Sequence, residues 1–126
     1  MRKLAPTLIA ISLCLFSSLV AAGNVSRAQF TSEIIEREPV DTIITLSTDQ
    51  TNILFFSELS AMQGQTITHQ WVYQDKIRFE KPFPVGADRW RVWSSKTLQP
   101  GRSGTWTVNI LDQDRNKLLS QSFEYR

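Results

Sequence analysis

After Gly23 this chain holds its apolar side chains at a period of two, and no dozen consecutive residues carry them at helical spacing. A repeat near 3.6 would build an amphipathic helix, whereas a repeat of two sends alternate side chains to opposite faces of a strand. Near the end Trp106, Val108 and Ile110 point one way and Thr105, Thr107 and Asn109 the other. Leu119, Phe123 and Tyr125 repeat the pattern, interrupted by Gln121. Strands are expected near Ala28 to Ile35, Asp41 to Ser47, Asn52 to Ser57, Thr66 to Tyr73, Lys76 to Lys81, Arg89 to Ser95, Thr105 to Leu111 and Lys117 to Tyr125. Pro39 cannot donate to a ladder, Asp49-Gln50, Gln74-Asp75 and Gln113 to Asn116 are polar turns, and Pro82 and Pro84 are expected to end a strand. Strands at this spacing predict an all-β fold, an immunoglobulin-like antiparallel β-sandwich of seven or eight strands. Two facing sheets would bury the apolar rows, each large side chain contributing about 1.5–3 kcal/mol.

The start of the chain follows another rule. Basic Met1-Arg2-Lys3 precedes an apolar stretch from Leu4 to Val20, and Val20-Ala21-Ala22-Gly23 supplies small residues. This is the grammar of a secretory signal peptide, a helix over residues 1–22 cut after Ala22, with an uncleaved anchor as the alternative. Cleavage would leave no stable membrane insertion and a single domain over residues 23–126. The sole cysteine, Cys14, lies in the apolar stretch behind bulky Leu13, a poor setting for lipid attachment. The rest of the chain has no thiol for a disulfide, a thiolate metal site or a nucleophile, so packing must hold the domain together.

Beyond residue 22 the basic and acidic side chains number twelve each, which gives no general attraction to nucleic acid. Their distribution is uneven. Gly23 to Asp75 has Arg27 and Arg37 against seven acids, while Lys76 to Arg126 has ten bases against five. Either the two halves attract each other within one fold, or the second half forms a basic face.

Motifs for catalysis are sparse. His69, the only histidine, alternates with Ile67, Trp71 and Tyr73, so a buried neutral ring held by a hydrogen bond is expected. A hydrolase using His69 as general base would lack a nucleophile motif, since Gly101-Arg102-Ser103-Gly104 does not have the G-x-S-x-G spacing. Asp112 to Asn116 begins like a calcium loop but has Lys117 at the sixth position and Phe123 at the twelfth, which makes it a hairpin turn. Neither a metal nor a cofactor is expected. The distinctive segment is Arg89-Trp90-Arg91-Val92-Trp93-Ser94-Ser95-Lys96. Alternation sends Trp90 and Val92 inward and Arg89, Arg91 and Trp93 outward. An exposed tryptophan beside arginines can stack on a sugar while guanidinium groups grip carboxylate or phosphate. In the competing reading these arginines pair with acids of the first half and a loop covers Trp93.

E-P-V-D (Glu38 to Asp41), F-F-x-E-L (Phe55 to Leu59), G-x-x-x-T-H-x-W (Gly64 to Trp71), R-W-R-V-W-S-S-K (Arg89 to Lys96) and G-x-W-T-V (Gly104 to Val108) together resemble the bacterial family called domain of unknown function 2914. The resemblance implies a short exported protein of Gram-negative bacteria, in the periplasm or on an envelope surface, and implies no activity. Gln74-Asp75 departs from it, standing where a glycine-containing turn is expected. The function expected is a non-catalytic module binding an envelope glycan or acidic polymer through Arg89, Arg91, Trp93 and Lys96, with His69 and Trp71 as outer candidates. The alternative is an adaptor that docks on an envelope protein through a sheet edge or its acidic first half.

Overall fold

The computed structural model describes residues 23–126, so the expected signal peptide lies outside the described residues. In chain order the strands are β1 (Asn24–Thr31), β2 (Ile34–Ile35), β3 (Glu38–Pro39), β4 (Thr45–Leu46), β5 (Asn52–Ser60), β6 (Thr66–Tyr73), β7 (Lys76–Pro84), β8 (Arg89–Thr97), β9 (Gly104–Leu111) and β10 (Lys117–Tyr125). One sheet has the order β1-β5-β8, the other β4-β10-β9-β6-β7, and β2 and β3 form a small ladder of their own. Every pairing is antiparallel except that of β10 with β4. Among the seven long strands the first, second and fifth share one sheet and the rest the other. That is the immunoglobulin-like sandwich expected, with the fourth long strand placed beside the third.

The apolar rows read from the sequence meet between the sheets. Phe30, Ile53, Phe55 and Leu59 come from one sheet and Ile67, Trp71, Trp106, Val108, Ile110, Phe123 and Tyr125 from the other, all buried. Phe30 sits at the centre, with ring centroids 4.8 Å from Phe55 and 4.7 Å from Phe123. Gln121, the polar break in the β10 row, reaches across the sandwich and donates from Nε2 to the Ala28 carbonyl at 3.0 Å.

Three elements differ from expectation. The strand expected over Asp41 to Ser47 shrinks to Thr45–Leu46, because the Asp41 carboxylate accepts hydrogen bonds from the Thr31 and Ser32 hydroxyls and the Ser32 amide. Those bonds pin the base of the 32–41 excursion instead of extending a sheet. β1 accordingly starts early, at Asn24, and ends at Thr31. Pro82 and Pro84 do not end β7. The Val85 amide donates to the Gln65 carbonyl at 2.9 Å, which makes the odd-numbered residues there the ones bonded to β6. Both prolines therefore turn their missing N–H away from the sheet, where no ladder bond is lost.

The two sides of the sandwich are closed differently. On one side residues 43–46 stitch β1 to β10: the Ile43 amide donates to the Phe30 carbonyl, Glu124 to Ile44 and Arg126 to Leu46, each at 2.9 Å. On the other side β8 and β7 are the terminal strands of their sheets, and no described strand joins them.

Candidate functional site

The alternation expected in β8 holds. Val92 and Ser94 are buried between the sheets with Trp90 half-buried beside them, and Arg89, Arg91 and Trp93 lie on the outer face. Register carries that outer face across the sheet, aligning Arg27, Glu58 and Arg91 in one row and Gln29, Phe56 and Trp93 in the next. The β2–β3 ladder lies over these rows and delivers Glu38.

Glu38 holds Arg27 at 2.8 Å and Arg91 at 2.5 Å, while Glu58 holds Arg27 at 2.6 Å and Arg89 at 3.1 Å. The result is one chain of alternating charge, Arg89-Glu58-Arg27-Glu38-Arg91. Arg27 and then Arg91 hold the Glu38 carboxyl down to about 2, and Arg27 foremost keeps Glu58 below the usual carboxylate range. Phe56 is fully buried on this outer face, with the Arg27 guanidinium 5.0 Å above its ring. Acids of the first half thus neutralise arginines of the second, one of the two readings that the charge distribution left open.

The remaining expected residues do not join this face. His69 and Trp71 are both 0% exposed, so neither can serve as an outer contact for a ligand. His69 stands between the sheets, Nε2 at 2.8 Å from the Ser57 hydroxyl and Nδ1 at 2.8 Å from that of Ser94, which also accepts a bond from the Trp71 indole at 3.0 Å. Phe55 and Phe83 meet the ring edge-on. Burial without a charged partner pushes the imidazole down to about 3, which leaves it neutral. Lys96 belongs to the inward row of β8. Its ammonium lies 5.9 Å from the Trp106 ring, in a separate hollow of about 120 Å³ shared with Gln99 and Arg102.

What β8 does border is a groove of about 280 Å³, lined by Phe83 and Pro84 of β7 and by Trp90, Arg91, Val92 and Trp93. It follows the open side of the sandwich. Gly86, in the connection between β7 and β8, is packed so closely on Trp90 that a Cβ there would come within 2.9 Å of the indole, which fixes that wall. Phe83 and Pro84 were not foreseen as site residues, since only the strand order brings β7 beside β8. A larger hollow, about 350 Å³, lies by the Gln74–Asp75 turn, between it and Ser103 to Thr105. Among the described residues no cluster of His, Cys, Asp or Glu could hold a metal ion. The carboxylate of Asp112 instead accepts the Asp114 and Asn116 amides, closing the β9–β10 hairpin.

No curated protein matches the chain. Residues 64–125 match a family model described as "Protein of unknown function (DUF2914)". The matched stretch spans β6 to β10 and so holds both walls of the groove, while Glu38 to Asp41 and Phe55 to Leu59 fall outside it. Over that stretch, just under half of the chain, the match supports the DUF2914 resemblance read from the sequence.

Proposed function

We propose that the protein is an exported, non-catalytic binding module that recognises a component of the cell envelope in the groove between β7 and β8. The observation that carries this reading is the grouping of Trp90, Trp93, Phe83 and Arg91 along the side of the sandwich where no described strand joins β8 to β7. Aromatic walls with a few convergent polar groups are the ordinary make-up of a ligand site. Export rests on the basic, apolar and small-residue order of residues 1–22, and implies a periplasmic location. Catalysis by His69 is the weaker reading, because a general base has to reach the proton it removes and this ring is enclosed.

The ion pairs favour one alternative over an acidic glycan. Arg89 and Arg91 already face carboxylates, so a polyanion would compete with Glu38 and Glu58, whereas an adaptor docking on an envelope protein would leave those pairs intact. Replacing Trp93 with Ala tests the groove under either reading. The variant should fold and lose retention on isolated envelope material; full retention would remove the groove as the site.

A further inference from the structure

The groove has a polar wall that side chains do not reveal. In an antiparallel pair, successive residues alternate between those whose N–H and C=O both face the partner strand and those whose groups both face away. The Leu98 amide donates to the Thr51 carbonyl and the Ala61 amide to the Asp88 carbonyl, each at 2.7 Å, at the two ends of the β5–β8 ladder. Even-numbered residues of β8 therefore face β5. Arg89, Arg91, Trp93 and Ser95 direct their main-chain groups to the open side, where no described strand pairs with them.

The facing strand is built differently. From Phe79 to Pro84 of β7 it is the even-numbered positions that face outward, and two of them are Pro82 and Pro84, which have no N–H to offer. One open edge is thus blunted by proline, a common protection against unwanted pairing, while its neighbour keeps a full set of donors and acceptors. The unprotected edge also supplies four of the six residues that line the aromatic groove.

Resting on the groove reading above, we infer that the occupant is an extended polypeptide segment that adds to β8 as a further strand, its apolar side chains entering the groove and alternate acidic side chains facing the basic rim. Pairing with main-chain groups supplies affinity in this mode, and pockets for alternate side chains supply selectivity. Charge selects the acidic partner: Arg89 and Arg91 are already paired with Glu58 and Glu38, but β7 and β8 also carry Lys76, Arg78, Lys81 and Lys96, which face no carboxylate among the described residues, against the single acid Glu80. Glu80 is itself held by Arg115 at 2.8 Å. A second copy of β8 would bring the same basic strand against itself.

The test uses protein expressed from the full chain and purified as the cell processes it, with three probes: a peptide alternating Val and Glu, a peptide alternating Val and Lys, and an oligogalacturonate. The Val–Glu peptide should slow amide hydrogen exchange at Arg91, Trp93 and Ser95 at least tenfold, with the Val–Lys peptide much weaker. Ser95→Pro removes one outward N–H without touching the β5 ladder and should abolish peptide binding; the exchange measurement on unaltered protein stands whether or not that variant folds. Unchanged exchange at the three amides overturns the inference, as does equal binding by Ser95→Pro. If oligogalacturonate binds, is lost in Trp93→Ala and ignores Ser95→Pro, the groove stands and its strand partner falls. If Trp93→Ala binds every probe as before, both fall.

Discussion

His69 on β6 and Ser57 on β5 share a hydrogen bond of 2.8 Å across the space between the two sheets, and Ser94 on β8 takes the other ring nitrogen. This is a polar tie through an apolar interior, and it couples both sheets to the strand that borders the groove. Buried polar groups are tolerated when each finds a partner, and here both nitrogens do.

The tie makes stability depend on pH in a defined window. An unfolded imidazole takes up a proton below its ordinary value of 6.5, whereas the folded one does so only near 3. Its contribution is therefore complete above 6.5 and is lost as pH falls toward 3, with a slope of about 1.4 kcal/mol per pH unit. Glu38, held near 2, joins only below the usual carboxylate value of 4.5, so the interval from 6.5 to 4.5 isolates the histidine. Urea unfolding at a series of pH values in that interval should show this slope in the native protein and a flat response in His69→Gln. A slope that persists in the variant would assign the effect to another group.

The β2–β3 ladder has only two residue pairs of its own and is held to the sheet through Glu38. Glu38→Gln removes the charge that Arg27 and Arg91 both grip. The expected outcome is a looser ladder over an intact sandwich, seen as faster tryptic cleavage after exposed Arg37 with little change in the urea midpoint. Cleavage at the native rate would show that the ladder is held by contacts other than the Glu38 charge.

The Gln74–Asp75 turn joins β6 to β7 with φ of 52° and 61°, two successive positive values at residues other than glycine. A two-residue hairpin turn of this hand suits Asn-Gly best. The double substitution Gln74→Asn, Asp75→Gly should raise stability by about 1 kcal/mol, read as a higher urea midpoint at unchanged slope. A lower midpoint would mean that the native pair makes contacts worth more than its backbone strain.

How far the sequence foretold this molecule depended on how local each cause was. β6 and β10 match their expected spans because alternation between clear turns is a local signal. The β2–β3 ladder gave no such signal, since its anchors, Arg27 and Arg91, are 11 and 53 residues from Glu38. The charge difference between the halves announced that some pairing would occur without naming the acids. The outward turn of Trp93 was legible within β8, but the openness of that edge was not, because it follows from which strands pair at long range. Pro82 and Pro84 were read as terminators for the same reason: only the register with β6 shows that the missing N–H groups face outward.

Those prolines lead to the remaining prediction. With Pro82 and Pro84 in place, β7 offers no N–H at two of its outward positions; Pro82→Thr together with Pro84→Thr would restore both and introduce a β-branched side chain suited to a strand. Of their partners on β6, Thr68 pairs with Leu111 of β9 and the Thr66 amide donates to the Gln113 side chain, so the sandwich itself should remain intact. The two sheets would then each end in an uncapped edge on the same side of the domain. Sedimentation over a range of concentrations should show the double variant associating at concentrations where the native protein does not. If the two sediment alike, proline at these positions does not guard the edge, and the contrast between β7 and β8 loses its physical meaning.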